Sequence, residues 1–267
     1  MAKRDAGALA ARIATAAVFM ALLLAGLFLL PRVGVAALMA LIIGIGGFEW
    51  ARLCGLRLAH ARLYAAGVVA ALALLYVAEF YRDVFLLASA FWMIAVPAWL
   101  WSGVKPQHWV ALAVAGFVVL VPAALAMVVL QPLEALLVLA VAWIADTGAY
   151  FAGRRWGRRK LAPSISPGKT WEGAAGGLIA TAAYAIILSM LLGGGTTGMA
   201  VFLGVAALLV LMSIAGDLFE SAVKRQAGVK DSGAILPGHG GMLDRIDSAT
   251  ATLPLAAALV PLLSHVK

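Results

Sequence analysis

Near the end of the chain, the residues from Asp217 to Asp247 combine acids, bases and glycines in a pattern suited to phosphate chemistry. The segment VFLGVAALLVLMSIAGDLFESAVKR is apolar until Asp217. If it stays helical, Asp217, Ser221 and Lys224 fall at i, i+4 and i+7, on one face, with Glu220 bordering it. QAGVKDSGAILPGHGG then reads as a glycine-rich loop, and MLDRIDSATATLPLAAALVPLL restarts as a helix with Asp244, Asp247 and Ser248 at i, i+3 and i+4. Carboxylates gathered at low dielectric repel one another unless a cation sits among them. Oxygen ligands suit Mg²⁺ rather than zinc, and Mg²⁺ is usually held by one or two carboxylates plus substrate phosphates. Lys224, Arg225, Lys230, His239 and Arg245 supply the cations a polyphosphate needs. Gly240 and Gly241 precede a helix N-terminus, itself an anion site. These are the components of magnesium-assisted phosphoryl or nucleotidyl transfer. A transporter's charge relay and a structural salt-bridge network are the alternative readings of the same residues.

A second constellation, ADTGAYFAGRRWGRRKLAPSISPGKTWEG, spans Ala145 to Gly173. Asp146 lies inside or at the end of an apolar span, where an ionised acid costs several kcal/mol unless paired, hydrated or bound to a cation. The basic run and the Ser-Pro-Gly-Lys-Thr stretch after it read as a turn-rich loop. Its backbone amides and hydroxyls can approach an anion closely. It lacks the Gly-x4-Gly-Lys-Ser/Thr spacing of a Walker A loop. Arg154 to Arg159 read best as topology determinants, whereas Asp146, Lys169 and Glu172 read as functional.

Both constellations must be carried by membrane helices. Only 12% of the 267 residues are charged and 64% are hydrophobic, with a mean hydropathy of +1.03. A soluble domain carries about 25% charged residues. The chain therefore belongs in a bilayer, as an all-α polytopic protein. Apolar stretches predict nine spans, near 12–30, 33–48, 63–80, 84–101, 109–130, 133–151, 173–193, 198–218 and 249–263. With that count, 17 of the 20 Lys and Arg residues fall on one side, which places the N-terminus and both polar segments in the cytoplasm. The basic lead from Met1 to Arg12 reads as an uncleaved start. The formal net charge of +8 suits anionic lipid surfaces or substrates. Nucleic acid is the weaker reading, since no soluble basic module accompanies it. The lone Cys54 excludes an internal disulfide.

Residues 1–140 read as a scaffold of transmembrane helices with room for a lipid groove, and 141–267 as the catalytic region. In the first half, Glu49, Glu79, Asp83 and Glu134 read as charges anchored at span ends. Trp50, Trp92, Trp99, Trp101 and Trp109 read as an interfacial aromatic belt. No His/Cys cluster has zinc spacing, and no Gly-x-Ser-x-Gly elbow is present.

Ser221-x-x-Lys224-Arg225-x4-Lys230-Asp231-x-Gly233, followed by Leu236-Pro237-x-His239-Gly240-Gly241-x-x-Asp244-Arg245-x-Asp247, resembles the signature of the phosphatidate cytidylyltransferases (CDP-diacylglycerol synthases), without departure across 27 positions. Asp146-Thr-Gly-Ala-Tyr150 and Ser166-Pro-Gly-Lys-Thr-Trp-Glu172-Gly173 are similar to that family's middle region. The resemblance implies transfer of a cytidylyl group from CTP to phosphatidate with Mg²⁺, a second cation, and a homodimer in the bacterial inner membrane. It assigns the metal to Asp217 and Asp244, with Asp247 as a third ligand or orienter. Ser221, Lys224, Arg225, Lys230, Asp231, His239, Gly240, Gly241 and Arg245 then contact the triphosphate or lipid phosphate. Asp146, Tyr150, Ser166, Lys169, Thr170 and Glu172 shape the nucleotide pocket. A cytidylyltransferase for another lipid phosphate is the nearest alternative. A transporter predicts acids scattered across many spans, whereas seven of the twelve acids lie in 146–247.

Overall fold

The computed structural model describes residues 17–18, 20–193, 195–235 and 240–263. The chain opens with a short apolar helix α1 (Met20–Leu29). Helices α2 (Arg32–Leu53), α3 (Leu58–Ala78), α4 (Tyr81–Ala90) and α5 (Val96–Ser102) follow, the last two joined by a π-helical turn at Phe91–Ala95. Next come α6 (Trp109–Val129), α7 (Pro132–Trp156), the strands β1 (Lys160–Ala162) and β2 (Ser166–Thr170), α8 (Trp171–Leu191), α9 (Gly195–Gln226) and α10 (Leu243–Leu263). Among the described residues, seven helical stretches are long and apolar enough to cross a membrane, counting α4 to α5 as one. The protein is an all-α, polytopic integral membrane protein, with one small hairpin among the described residues. The first and last expected spans fall on α1 and α10, which stand outside that set of seven.

Local chemistry sets the breaks. Pro132 opens α7, where its missing N–H costs nothing, and Gln131 and Glu134 form a capping box around it. Pro97 removes an amide from the ladder just after the π turn. The stretch expected to be all turn, before α8, instead contains an antiparallel hairpin pairing Lys160 with Thr170 and Ala162 with Ser166. Thr170 closes it by accepting the Gly173 amide at 3.0 Å, which caps α8.

Two close approaches bring the functional helices together. Helices α7 and α8 pack through glycines: a Cβ on Gly148 would lie 2.9 Å from the Gly176 carbonyl oxygen, and one on Gly177 2.8 Å from that of Ala145. Helices α9 and α10 meet at Gly216, where a Cβ would lie 2.6 Å from the Asp247 carbonyl oxygen. Helix α10 also packs on α4, α6 and α7, so both halves of the chain contribute to the walls around it. The expected tryptophan belt divides. Trp101 is exposed, but Trp50 and Trp92 are buried, and together with Trp99 they surround Phe219 of α9 at ring-centroid distances of 5.5 to 6.1 Å. The aromatic rings fill the space behind Glu220 instead of marking a water boundary.

Candidate active site

Helix α9 continues through Gln226, so Asp217, Ser221 and Lys224 do share a face. The Ser221 hydroxyl donates to Asp217 Oδ1 at 3.2 Å. From β2, the Lys169 ammonium reaches Asp217 Oδ2 at 2.6 Å. The hairpin is held to the same helix by Arg225, whose Nε donates to the Ile165 carbonyl at 3.2 Å.

Lys169 and Asp217 stand on the wall of a polar cavity of about 510 Å³, shared with Asp146, Tyr150, Arg154 and Ser166. Asp146 reaches it from α7, and Tyr150 accepts a hydrogen bond from Arg154 Nη1 at 2.9 Å. Thr170 lines the cavity too, with its hydroxyl oxygen engaged in the cap described above. Glu172 does not line it: the carboxylate accepts the backbone amides of Arg158 at 3.0 Å and Arg159 at 3.1 Å. Glu172 thus ties the end of α7 to the start of α8 and shapes the base of the hairpin.

Asp146 also borders a second, mostly apolar cavity of about 120 Å³, lined by Met39, Ile43, Leu120 and Met127 and ending at Arg245 and Asp247. Ser248 borders this cavity together with Asp146, where α10 packs on α7. Asp146, Asp217 and Asp247 lie within electrostatic reach of one another, with Lys169 among them. The acids therefore meet where the polar and apolar cavities adjoin.

A second charged cluster lies about two helical turns along α9, roughly 10 Å by helix rise. The Lys224 ammonium bonds Asp244 Oδ1 at 2.6 Å and sits 3.2 Å from Glu220 Oε1. Asp244 Oδ2 accepts from the Gly241 amide at 2.7 Å, the Ser232 amide at 3.0 Å and the Ser232 hydroxyl at 3.1 Å. Asp244 thereby fixes the glycine turn, where Gly240 takes φ +80° and a Cβ would meet its carboxylate at 2.6 Å. Asp217, Asp244 and Asp247, expected as a metal-holding trio, are not collected into one set of three ligands among the described residues. Asp217 and Asp244 each take a lysine instead. Lys230 and Asp231 are exposed on the loop, and His239 lies outside the described residues.

One residue that the sequence pattern assigned to an interface belongs to this second cluster. Glu49 of α2 is 3% exposed. Its Oε1 accepts the Met242 amide at 3.0 Å, and its Oε2 accepts the Leu243 amide at 3.0 Å and the Ser232 hydroxyl at 2.8 Å. The one sequence signal was an acid beside Gly46-Gly47 in an apolar run, which gives no hint of a partner almost two hundred residues away.

The family model described as the cytidylyltransferase family matches residues 10–263. The chain belongs to the cytidylyltransferase family. A phosphatidate cytidylyltransferase of Pseudomonas aeruginosa is 42% identical over 264 residues, which cover 93% of this chain and 96% of that one. Proteins of the same description from Haemophilus influenzae and Thermotoga maritima are 51% identical over 124 residues and 44% over 137. Those two matches cover 45% and 50% of this chain, and 42% and 51% of theirs. The cavity that Asp146 and Asp217 border also carries the basic side chains of Lys169 and Arg154.

Proposed function

We propose that this enzyme transfers a cytidylyl group from CTP to phosphatidate, giving CDP-diacylglycerol and pyrophosphate, at the cytoplasmic face of a bacterial inner membrane. One observation carries the reading: a cavity lined by Lys169, Arg154 and Asp217 and a second lined chiefly by aliphatic side chains share Asp146 as a common wall, beside Asp247. CTP is water-soluble and phosphatidate stays in its leaflet, so their phosphates must meet at such a boundary. The basic ends of α2, α7 and α9 support the orientation. Gln226 donates to the Leu53 carbonyl at 2.8 Å, and Arg225 to Ile165, so these ends gather on one side. A polar funnel on the cytoplasmic side of nine spans completes the reading: the apolar stretches support the count, and the asymmetry of Lys and Arg supports the side.

In the reaction, an oxygen of the phosphatidate phosphomonoester attacks the α-phosphorus of CTP in line. A new P–O bond forms, the α–β bridging P–O bond breaks, and pyrophosphate departs with the electron pair. The attacking phosphate is already an anion, so no side chain must act as nucleophile, and positioning with charge neutralisation does the work. Lys169 carries positive charge to the cavity where the triphosphate would lie, and Lys224, Arg225 and Arg245 are the further cations of α9 and α10. The donor set suits Mg²⁺: the acids offer only oxygen, and Asp217 and Asp244 each already draw an ammonium group to 2.6 Å. Asp217, with Asp247 in electrostatic reach, would hold one ion, and Asp244, in the second cluster, would hold the second cation. When bound they would supply Lewis-acid stabilisation of phosphate charge.

The test is direct. The purified protein is given labelled CTP, phosphatidate and Mg²⁺, and CDP-lipid formation is followed. Asp244→Asn is expected to lower turnover by more than about 100-fold, since that acid's interactions are worth several kcal/mol in the transition state. Near wild-type turnover in that variant sinks the assignment.

A further inference from the structure

We propose that Glu49 is a positioning residue for cytidylyl transfer: its carboxylate clamps both ends of the 232–243 loop and sets where α10 begins. The inference rests on the reading of α10 as part of the substrate site. Glu49 grips Ser232 at one end of the loop and the Met242 and Leu243 amides at the other. The loop is moulded on the carboxylate: a Cβ at Gly241 would lie 2.5 and 2.6 Å from the two Glu49 oxygens, and one at Gly233 would also collide with Glu49. Side chains at either position would push the loop off its anchor.

The two bound amides open the N-terminal turn of α10, next to Asp244, the nearer of them four residues before Asp247. An anionic acceptor there satisfies amides that have no partner within their own helix. The Ser232 hydroxyl lies within hydrogen-bonding distance of both Glu49 Oε2 (2.8 Å) and Asp244 Oδ2 (3.1 Å), so clamp and candidate metal acid share one donor. Helix α2 has a further part, because Met39, Ile42 and Ile43 form a wall of the apolar cavity. The helix that faces the lipid-side cavity thus also holds the loop that carries the acids. Misplacing reacting groups by about 1 Å can cost about 100-fold in rate, which is the leverage a clamp of this kind has.

The experiment compares Glu49→Gln, Glu49→Asp and Ser232→Ala in the full-length detergent-purified enzyme. Folding is checked by gel filtration and tryptophan fluorescence. Glutamine keeps the size but presents an NH₂ donor to a site built of donors. We expect kcat of folded Glu49→Gln to fall at least about tenfold, with KM for phosphatidate within about threefold, because the clamp positions the acids and does not hold the lipid. Glu49→Asp restores part of the loss, and Ser232→Ala lowers kcat by a smaller factor. Glu134→Gln removes a carboxylate that caps α7 far from the loop and should leave kcat unchanged. A folded Glu49→Gln enzyme with kcat within about twofold of wild type overturns the inference. If Glu49→Gln does not fold, unchanged kcat in Ser232→Ala overturns it. Asp244→Asn, assayed alongside, separates the two levels. Full activity there refutes the site reading itself, whereas a dead Asp244→Asn beside active Glu49 variants refutes the clamp alone.

Discussion

Replacing Lys224 with methionine isolates the charge balance at the centre of α9. Lys224 is 8% exposed and Glu220 4%, so neither charge has much access to water. Lys224 serves two acids, Asp244 at 2.6 Å and Glu220 at 3.2 Å. Without it, Asp244 keeps three donors on Oδ2, but Glu220 has no hydrogen-bond donor on either oxygen among the described residues. Breaking a buried pair from one side costs about 3–5 kcal/mol, because the remaining charge stays uncompensated. Lys224→Met should therefore destabilise by that amount, most of it assignable to Glu220. The double variant Lys224→Met/Glu220→Gln should come back to within about 2 kcal/mol of wild type, with a coupling energy of at least about 2–4 kcal/mol. Glu220→Gln alone should cost about 1 kcal/mol, the order expected for a buried amide with imperfect partners. Unfolding by SDS titration in mixed micelles measures all four proteins. Trp50 and Trp92, packed on the neighbouring Phe219, provide the fluorescence signal. A Lys224→Met protein within about 1 kcal/mol of wild type, or a double variant no better than the single, refutes this account of the cluster.

Gly216→Ala places a methyl 2.6 Å from the Asp247 carbonyl, so α9 and α10 must separate; a loss of about 1–3 kcal/mol and reduced turnover are expected. Gly204→Ala, in the same helix with nothing within 4 Å, is the matched control and should retain wild-type melting and activity. Arg154→Ala should lower kcat by less than about tenfold, because its guanidinium bonds Tyr150 on the exposed last turn of α7; a dead enzyme would show that this turn contributes to the chemistry itself. Burial pushes the Cys54 thiol up to about 12. At pH 8 the reactive thiolate is scarce, so iodoacetamide should modify Cys54 slowly in the native protein and readily after SDS unfolding; rapid native labelling would contradict its burial.

What the sequence made legible is what local periodicity encodes. The i, i+4, i+7 spacing of Asp217, Ser221 and Lys224 holds because α9 continues unbroken into its polar end, and Ser221 bonds Asp217 as that face requires. The restart at Leu243 followed in the same way from glycines giving way to helix formers. The hairpin was missed because Ser166-Pro-Gly-Lys-Thr170 has neither alternation nor β-branched bulk. Its pairing is imposed from outside, by Glu172 on the amides of Arg158 and Arg159 and by Arg225 on Ile165. Trp50 and Trp92 were misplaced for a related reason: an aromatic near a span end suits an interface or a core equally well until Phe219 is known to face it.

Glu49 shows the limit most clearly. An acid in an apolar helix announces that it needs a partner, since leaving it unpaired in a membrane costs several kcal/mol. The one-dimensional sequence says nothing of which partner. Near a span end the least demanding answer is water, and the sequence alone favours it for Glu49. The structure gives the other answer, two backbone amides and a hydroxyl from the far end of the chain. Backbone amides carry no residue identity, so a carboxylate that binds them leaves no complementary charge to find by reading along the chain. The acids that face lysines, Asp217 and Asp244, were legible because their partners are themselves charged and lie in polar segments. The same sequence context has both outcomes in this chain: Glu79 and Asp83 take the solvated edge, whereas Glu49, equally lone along the sequence, is buried on the amides of a glycine-rich turn.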